Sequence, residues 1–207
     1  MTPAQPHELQ ALHAHFEKLY EGSPDPYGLR TRWYEQRKRD ILLASLPRQR
    51  FGRCYEPGCG NGELTAQLAA RCDAVLAADF SAQVLRAARQ RTAALPQVRV
   101  VQHVLPNQWP VAEQFDLIVL SEVLYFLPID AVRTVARHCA RGLAPDGVLV
   151  ACDWRADFAA RASTTAAVHA ELAETGLHAA TVHDEDDFSL RVWTRDARSV
   201  AQREGIR

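Results

Sequence analysis

From residue 53 onward, short apolar runs alternate with Ala-rich stretches of helical spacing, the pattern of a mostly parallel sheet covered by helices. Residues 53–56, 74–78 and 98–102 predict the first three strands, with helices over 63–71 and 81–94 between them. The run Phe115 to Leu120 is almost continuously apolar, as expected of a central strand buried on both faces. A helix over 130–141 closes at Gly142, and Pro145-Asp146-Gly147 predicts a turn into a fifth strand at 148–152. A helix over 165–174 precedes two runs, 178–183 and 188–194, close enough in sequence to form an antiparallel pair.

The first fifty residues follow a different rhythm. Leu9, Leu12, Phe16, Leu19 and Tyr20 recur at helical spacing. Two prolines and two glycines between Gly22 and Gly28 then break the helix, and a second one runs over 31–46 until Pro47 ends it. Its face carries Trp33, Tyr34, Arg37, Ile41 and Leu42. The expected organisation is a single domain over 1–207, an N-terminal helical cap (1–50) on an α/β Rossmann-like core (51–207).

Composition narrows the partners. The 207 residues suffice for one well-buried α/β domain and are too few for two. Balanced counts of 24 basic and 25 acidic residues leave no field to hold nucleic acid or an anionic membrane. No apolar stretch approaches the ~20 residues of a membrane span, and Met1 to Leu12 lacks the basic and apolar segments of a signal peptide. The five cysteines form no C-x-x-C pair, and several sit in apolar runs, which favours reduced thiols and a cytoplasmic location.

The chemistry gathers at Glu56-Pro57-Gly58-Cys59-Gly60-Asn61-Gly62, between the first strand and the next helix. Glycine admits positive φ and lets a ligand lie against bare backbone, while the helix that follows offers free N–H groups. A nicotinamide fingerprint would be G-x-G-x-x-G. Here the third glycine comes one position early and an acid precedes the first. Glu56 suits an ammonium and would repel a pyrophosphate. Asp79, 17 residues past Gly62 at the end of the second strand, is placed to accept both hydroxyls of a ribose. The pair suits S-adenosylmethionine, with S-adenosylhomocysteine as product. Cys59, Phe80, Ser81 and Ser121 line the same strand ends and complete the expected cofactor contacts.

At these residues the chain resembles class I methyltransferases, and more narrowly the nodulation S family. The likeness is carried by Asp25-Pro26-Tyr27-Gly28, the segment from Trp33 to Lys38, Glu56 to Gly60, Asn107-Gln108-Trp109-Pro110, and Phe115 to Tyr125. It implies a seven-stranded sheet in the order 3-2-1-4-5-7-6 with the cofactor across the carboxyl edge of the early strands. The family includes enzymes that methylate an amine of a deacetylated chitooligosaccharide. One departure stands out: where such proteins offer an acid to the adenine amino group, this chain has Val104 beside His103, so adenine contacts are expected through backbone at 103–105.

Methyl transfer needs a neutral nucleophile aligned behind the methyl carbon, so positioning supplies most of the catalysis and no metal is required. Glu122, at the carboxyl end of the fourth strand, is a candidate substrate contact or base, or simply an acid favoured by a helix dipole. Asp153 is a second candidate base. Tyr125, three residues past Glu122, and His169 are candidates for the acceptor pocket; Tyr125 reads equally as core, and a lone His on an apolar helix face reads first as a packing residue. On the N-terminal helix, Arg37 would meet the methionine carboxylate, Tyr34 would close over the site and Trp33 would cover the sulfonium. The acidic run Asp184 to Asp187 reads as a solvated hairpin turn. The expectation is an S-adenosylmethionine-dependent N-methyltransferase acting on a small-molecule amine or amino sugar. A non-catalytic cofactor-binding module and a nicotinamide oxidoreductase are the alternatives.

Overall fold

A computed structural model describes residue 14, residues 16–23 and residues 25–207. Helix α1, over residues 16–22, and α2 (Trp33–Ser45) precede the sheet. The N-terminal part of the helix expected from Leu9 lies outside the described residues. There follow β1 (Phe51–Pro57), α3 (Glu63–Ala69), β2 (Cys72–Asp79), α4 (Ala82–Arg91), β3 (Val98–Gln102) and β4 (Phe115–Ser121). A single 3-10 turn (Leu124–Phe126) leads to α5 (Ile129–Gly142), β5 (Leu143–Trp154), α6 (Thr165–Ala173), β6 (His178–Asp184), β7 (Phe188–Thr194) and α7 (Val200–Arg203).

The seven strands lie in the order β3-β2-β1-β4-β5-β7-β6. All pairings among β1 to β5 are parallel, and β7 runs antiparallel to both β5 and β6. Strand side chains alternate between two buried layers. Cys54, Val75, Leu117, Val119 and Val150 meet α2, α3 and α4 on one face, and Tyr55, Leu76, Ile118, Leu120 and Leu149 meet α5 and α6 on the other. Both faces of the central strands are thus dry, which is why their sequence reads as unbroken apolar runs.

The structure corrects one turn. Leu143 already pairs with Phe115, and the next partners are Leu117 and Val148, so Pro145-Asp146-Gly147 forms an irregularity within β5. A proline and a glycine fit there because the extra residues lie outside the regular ladder. All five cysteines are unpaired and buried. No helix among the described residues is long and apolar enough to cross a membrane.

Candidate active site at the carboxyl edge of the sheet

Parallel strands deliver their carboxyl ends to one edge, and the crevice there is where an open α/β sheet presents a ligand. Gly58, Gly60 and Gly62 all have positive φ, at 76°, 54° and 82°. The turn is sewn to β2: Cys59 donates its amide to the carbonyl of Ala78 at 2.9 Å, and Gly60 donates to Asp79 Oδ2 at 3.1 Å. Ser81 donates to the other oxygen of Asp79 at 3.0 Å. Asp79 is therefore fixed in aim, and burial pushes its carboxyl above the usual range against the pull of those amides.

Glu56 points from β1 into the layer beneath the turn, 2% exposed, and accepts from the Thr65 hydroxyl of α3 at 2.6 Å. Burial pushes its carboxyl up to about 8. A buried carboxyl near neutrality, a bare-backbone turn and a second acid at the next strand end suit a ligand with an ammonium and a ribose. The same pair of acids would repel phosphate. The donor set thus fits S-adenosylmethionine, whose ammonium Glu56 would hold and whose ribose Asp79 would hold.

The loop before α2 closes over this turn. Asp25 accepts from the amides of Leu29 and Arg30 at 2.7 and 3.0 Å and from Asn61 Nδ2 at 3.2 Å. Arg30 reaches Glu63 at the start of α3 at 2.8 Å, and Arg91 joins the same oxygen at 3.0 Å. Tyr20 of α1 is buried; that burial, with Asp79 next among the causes, pushes its phenol up. Sequence reasoning missed Tyr20, Asp25 and Asn61 as site residues. Asp25 lay inside a segment that carried the family resemblance, but nothing in its spacing tied it to the glycine turn.

At the other end of the edge stands Glu122, the one non-glycine residue with positive φ (57°) among the described residues. Its oxygens are fully engaged. Lys38 Nζ donates to Oε1 at 2.6 Å, while the Tyr125 hydroxyl and the Trp154 amide donate to Oε2 at 2.5 and 3.0 Å. These three donors fix the Glu122 carboxylate between α2, the 3-10 turn and β5. Tyr125 joins it through its hydroxyl across a 3-10 turn. Ser121 ends β4 beside it.

Several expected contacts fall elsewhere. Trp33 begins α2 with 69% of its surface exposed, so it does not cover the crevice. Arg37 forms a bidentate pair with Glu185 at 2.7 Å for both bonds, because α2 runs beside the β6–β7 hairpin. The acidic turn is accordingly an ion-pair station: Asp184 holds Arg191 and Glu185 holds Arg37 and His183. Tyr34 of α2 packs its ring edge-on against Trp154 and Phe188. Asp153 is fully buried and bonded through Oδ2 to His169 Nε2 at 2.9 Å, a brace between β5 and α6, while its Oδ1 has no hydrogen-bond partner among the described residues. At the adenine end, the Val104 amide is taken by Gln108 Oε1 at 2.8 Å. His103 bonds Tyr55 through Nδ1 at 3.2 Å, and Phe80 edges α1 through Phe16.

Residues 55–147 match the profile of the family described as Methyltransferase domain. A solved structure from Pseudomonas syringae, assigned as a methyltransferase, is 48% identical, with a TM-score of 0.71 over 79% of this chain and 100% of that one. Fold, glycine turn and strand-end acids define a class I S-adenosylmethionine-dependent methyltransferase, and the chain belongs to that family. Within it, the chain stands near the nodulation S proteins. Nodulation protein S of Sinorhizobium fredii is 33% identical over 129 residues, which span 61% of this chain and 59% of that protein, so the chain matches about three fifths of that relative's length. The N-methyltransferase NodS of Bradyrhizobium japonicum WM9, solved with S-adenosyl-l-homocysteine, superposes with a TM-score of 0.79 at 26% identity over 88% of this chain and 97% of that one.

The Arg37–Glu185 pair yields a prediction. The arginine side chain is 41% exposed, so solvent screens the pair. Arg37→Ala should leave the unfolding midpoint nearly unchanged and change S-adenosylhomocysteine affinity by less than about threefold. Denaturant unfolding and calorimetry check both.

Proposed function

We propose that the protein is an N-methyltransferase that moves the methyl group of S-adenosylmethionine to a small-molecule amine. The observation that carries this reading is the pair of acids, Glu56 and Asp79, bracketing a glycine turn at the sheet edge. Its likeness to NodS, itself an N-methyltransferase, supports an amine acceptor.

The acceptor enters at the β4–β5 end, between Glu122, Tyr125 and Trp154. Its nitrogen lone pair forms the N–C bond as the C–S bond breaks with its electron pair staying on sulfur. The new ammonium then gives its proton to water. This chain's residues bind, orient and exclude solvent, with Glu122 held by Lys38, Tyr125 and Trp154. Calorimetry with S-adenosylhomocysteine tests the donor half: micromolar binding is expected for the wild type. Asp79→Ala should weaken it by about a hundredfold, the loss of two charge-assisted hydrogen bonds. Wild-type affinity in that variant, or no binding at all, would overturn the reading. Mass spectrometry of a panel of primary amines incubated with S-adenosylmethionine tests the acceptor half.

A further inference from the structure

Lys38 is a residue the proposed reaction leaves unexplained. It is 5% exposed, on the buried side of α2, and reaches across to the carboxyl edge of the sheet. Its ammonium lies 2.6 Å from Glu122 and 3.1 Å from Glu35, with the ring of Tyr34 at 5.2 Å from its nitrogen. Burial alone would lower its affinity for a proton, but the two carboxylates outweigh that and hold it charged. The groups facing this cluster from other elements are Tyr125 of the 3-10 turn, with Arg161 over its ring and Tyr27 near its phenol, Cys152 and Asp153 of β5, and Asp187 of the β6–β7 turn. Burial pushes the phenol and the thiol up, which keeps them uncharged. Asp153 turns to His169. The charges in direct contact with the ammonium are thus those of two glutamates, with Arg161 and Asp187 farther out.

An amine acceptor reacts only as its free base, and carboxylates beside it favour the unreactive ammonium. We propose that Lys38 is a positioning residue that keeps this end of the site from trapping the acceptor: by pairing with Glu122 and Glu35, it prevents their carboxylates from holding the bound amine as its ammonium. This rests on the amine-acceptor reading above. Lys38 fixes Glu122 as a hydrogen-bond acceptor for Tyr125 and Trp154, and at the same time cancels most of its field. Glu35 supplies the opposite adjustment, so the two residues are levers of opposite sign on one nitrogen.

The donor's sulfonium must lie beside that nitrogen for transfer to occur, so the same field is readable without turnover. S-adenosylmethionine and S-adenosylhomocysteine differ there by one positive charge. Calorimetry of both with the wild type, Lys38→Met, Lys38→Arg and Glu35→Gln gives the ratio of their affinities. Lys38→Met should raise the preference for the cationic donor several-fold, Glu35→Gln should lower it several-fold, and Lys38→Arg should keep it. In turnover with saturating amine from the panel, the acid limb of the kcat profile, which reports the bound complex, should move up about one pH unit in Lys38→Met and down about one unit in Glu35→Gln. A purely structural role would depress rates without moving the limb. Unmoved ratios, or shifts of the same sign in both variants, overturn the inference. Should Lys38→Met fail to fold, Glu35→Gln decides alone, because it keeps the Lys38–Glu122 pair. Ratios that move while the wild type methylates no amine overturn the acceptor reading and this inference with it. Methylation of an amine with unmoved ratios overturns the inference alone.

Discussion

Glu56→Gln is expected to raise the melting temperature at about pH 8.5 while leaving it unchanged near pH 4, and to weaken cofactor binding by about tenfold or more. The carboxyl is buried, its ordinary value of 4.5 pushed up to about 8. Between those two values the folded protein binds a proton that the unfolded chain has released. The stability contributed by neutral Glu56 is therefore fully present below 4.5 and lost as the pH rises through 8. Glutamine keeps the shape and a partner for the Thr65 hydroxyl but has no proton to lose. At alkaline pH the variant escapes a penalty on the order of a few kcal/mol, which in a chain of this size corresponds to about 5 °C or more. Thermal melts across pH read this directly, and wild-type and variant curves that stay parallel would remove the burial argument.

The functional half of the same prediction runs the other way. An ammonium placed against Glu56 favours the carboxylate, so cofactor binding below pH 8 should expel the proton that burial retains. Wild-type affinity for S-adenosylhomocysteine should rise from pH 6 to 8, with up to about one proton released in calorimetry repeated in buffers of different ionisation enthalpy. In Glu56→Gln both the pH dependence and the proton disappear. The residue destabilises the empty protein at alkaline pH in order to recognise the ligand, a trade common at binding sites.

How much of this was legible follows from what each signal depends on. The strands, the glycine turn and the two strand-end acids depend on local pattern and on short spacings along β1 and β2, and the structure places them as expected, in the sheet order that the family resemblance implied. Partner choice among long side chains depends on where helices dock, and there the sequence misled. Arg37 has Glu185 148 residues away in the chain, and Lys38 has Glu122 84 residues away. No periodicity links them. Trp33 and Lys38 stand on one helix, yet the aromatic one faces solvent and the charged one is buried, the reverse of what hydropathy suggests. The reason is that α2 crosses above the half-buried carboxylate of Glu122, which the Lys38 ammonium pairs with at 2.6 Å. His169 on an apolar helix face is held by Asp153 of β5, 16 residues earlier, and no periodicity links the two.

Gly58→Ala is the substitution expected to cost most in both stability and binding, and the reason is the close approach of the strand-end turn to the segment that carries Glu122. A Cβ built on Gly58 would stand 2.7 Å from Val123 Cγ2 and 2.8 Å from Val123 Cβ. These are atoms at the stiff root of a β-branched side chain, and no rotamer change moves its Cβ away. The φ of 76° adds a penalty of its own for any residue with a side chain. Together overpacking and backbone strain should cost about 2–5 kcal/mol. Relief of the clash would have to push the turn away from Val123, shifting Gly60 and its bond to Asp79, so affinity for S-adenosylhomocysteine should fall by tenfold or more, about 1.4 kcal/mol at least. The two causes separate in a double-mutant cycle. Val123→Gly removes the opposing Cβ, so Gly58→Ala in that background should cost at least about 1 kcal/mol less than it does alone, while the backbone share, about 1 kcal/mol, remains. Strictly additive losses would show that the turn and the Glu122 segment do not touch as described.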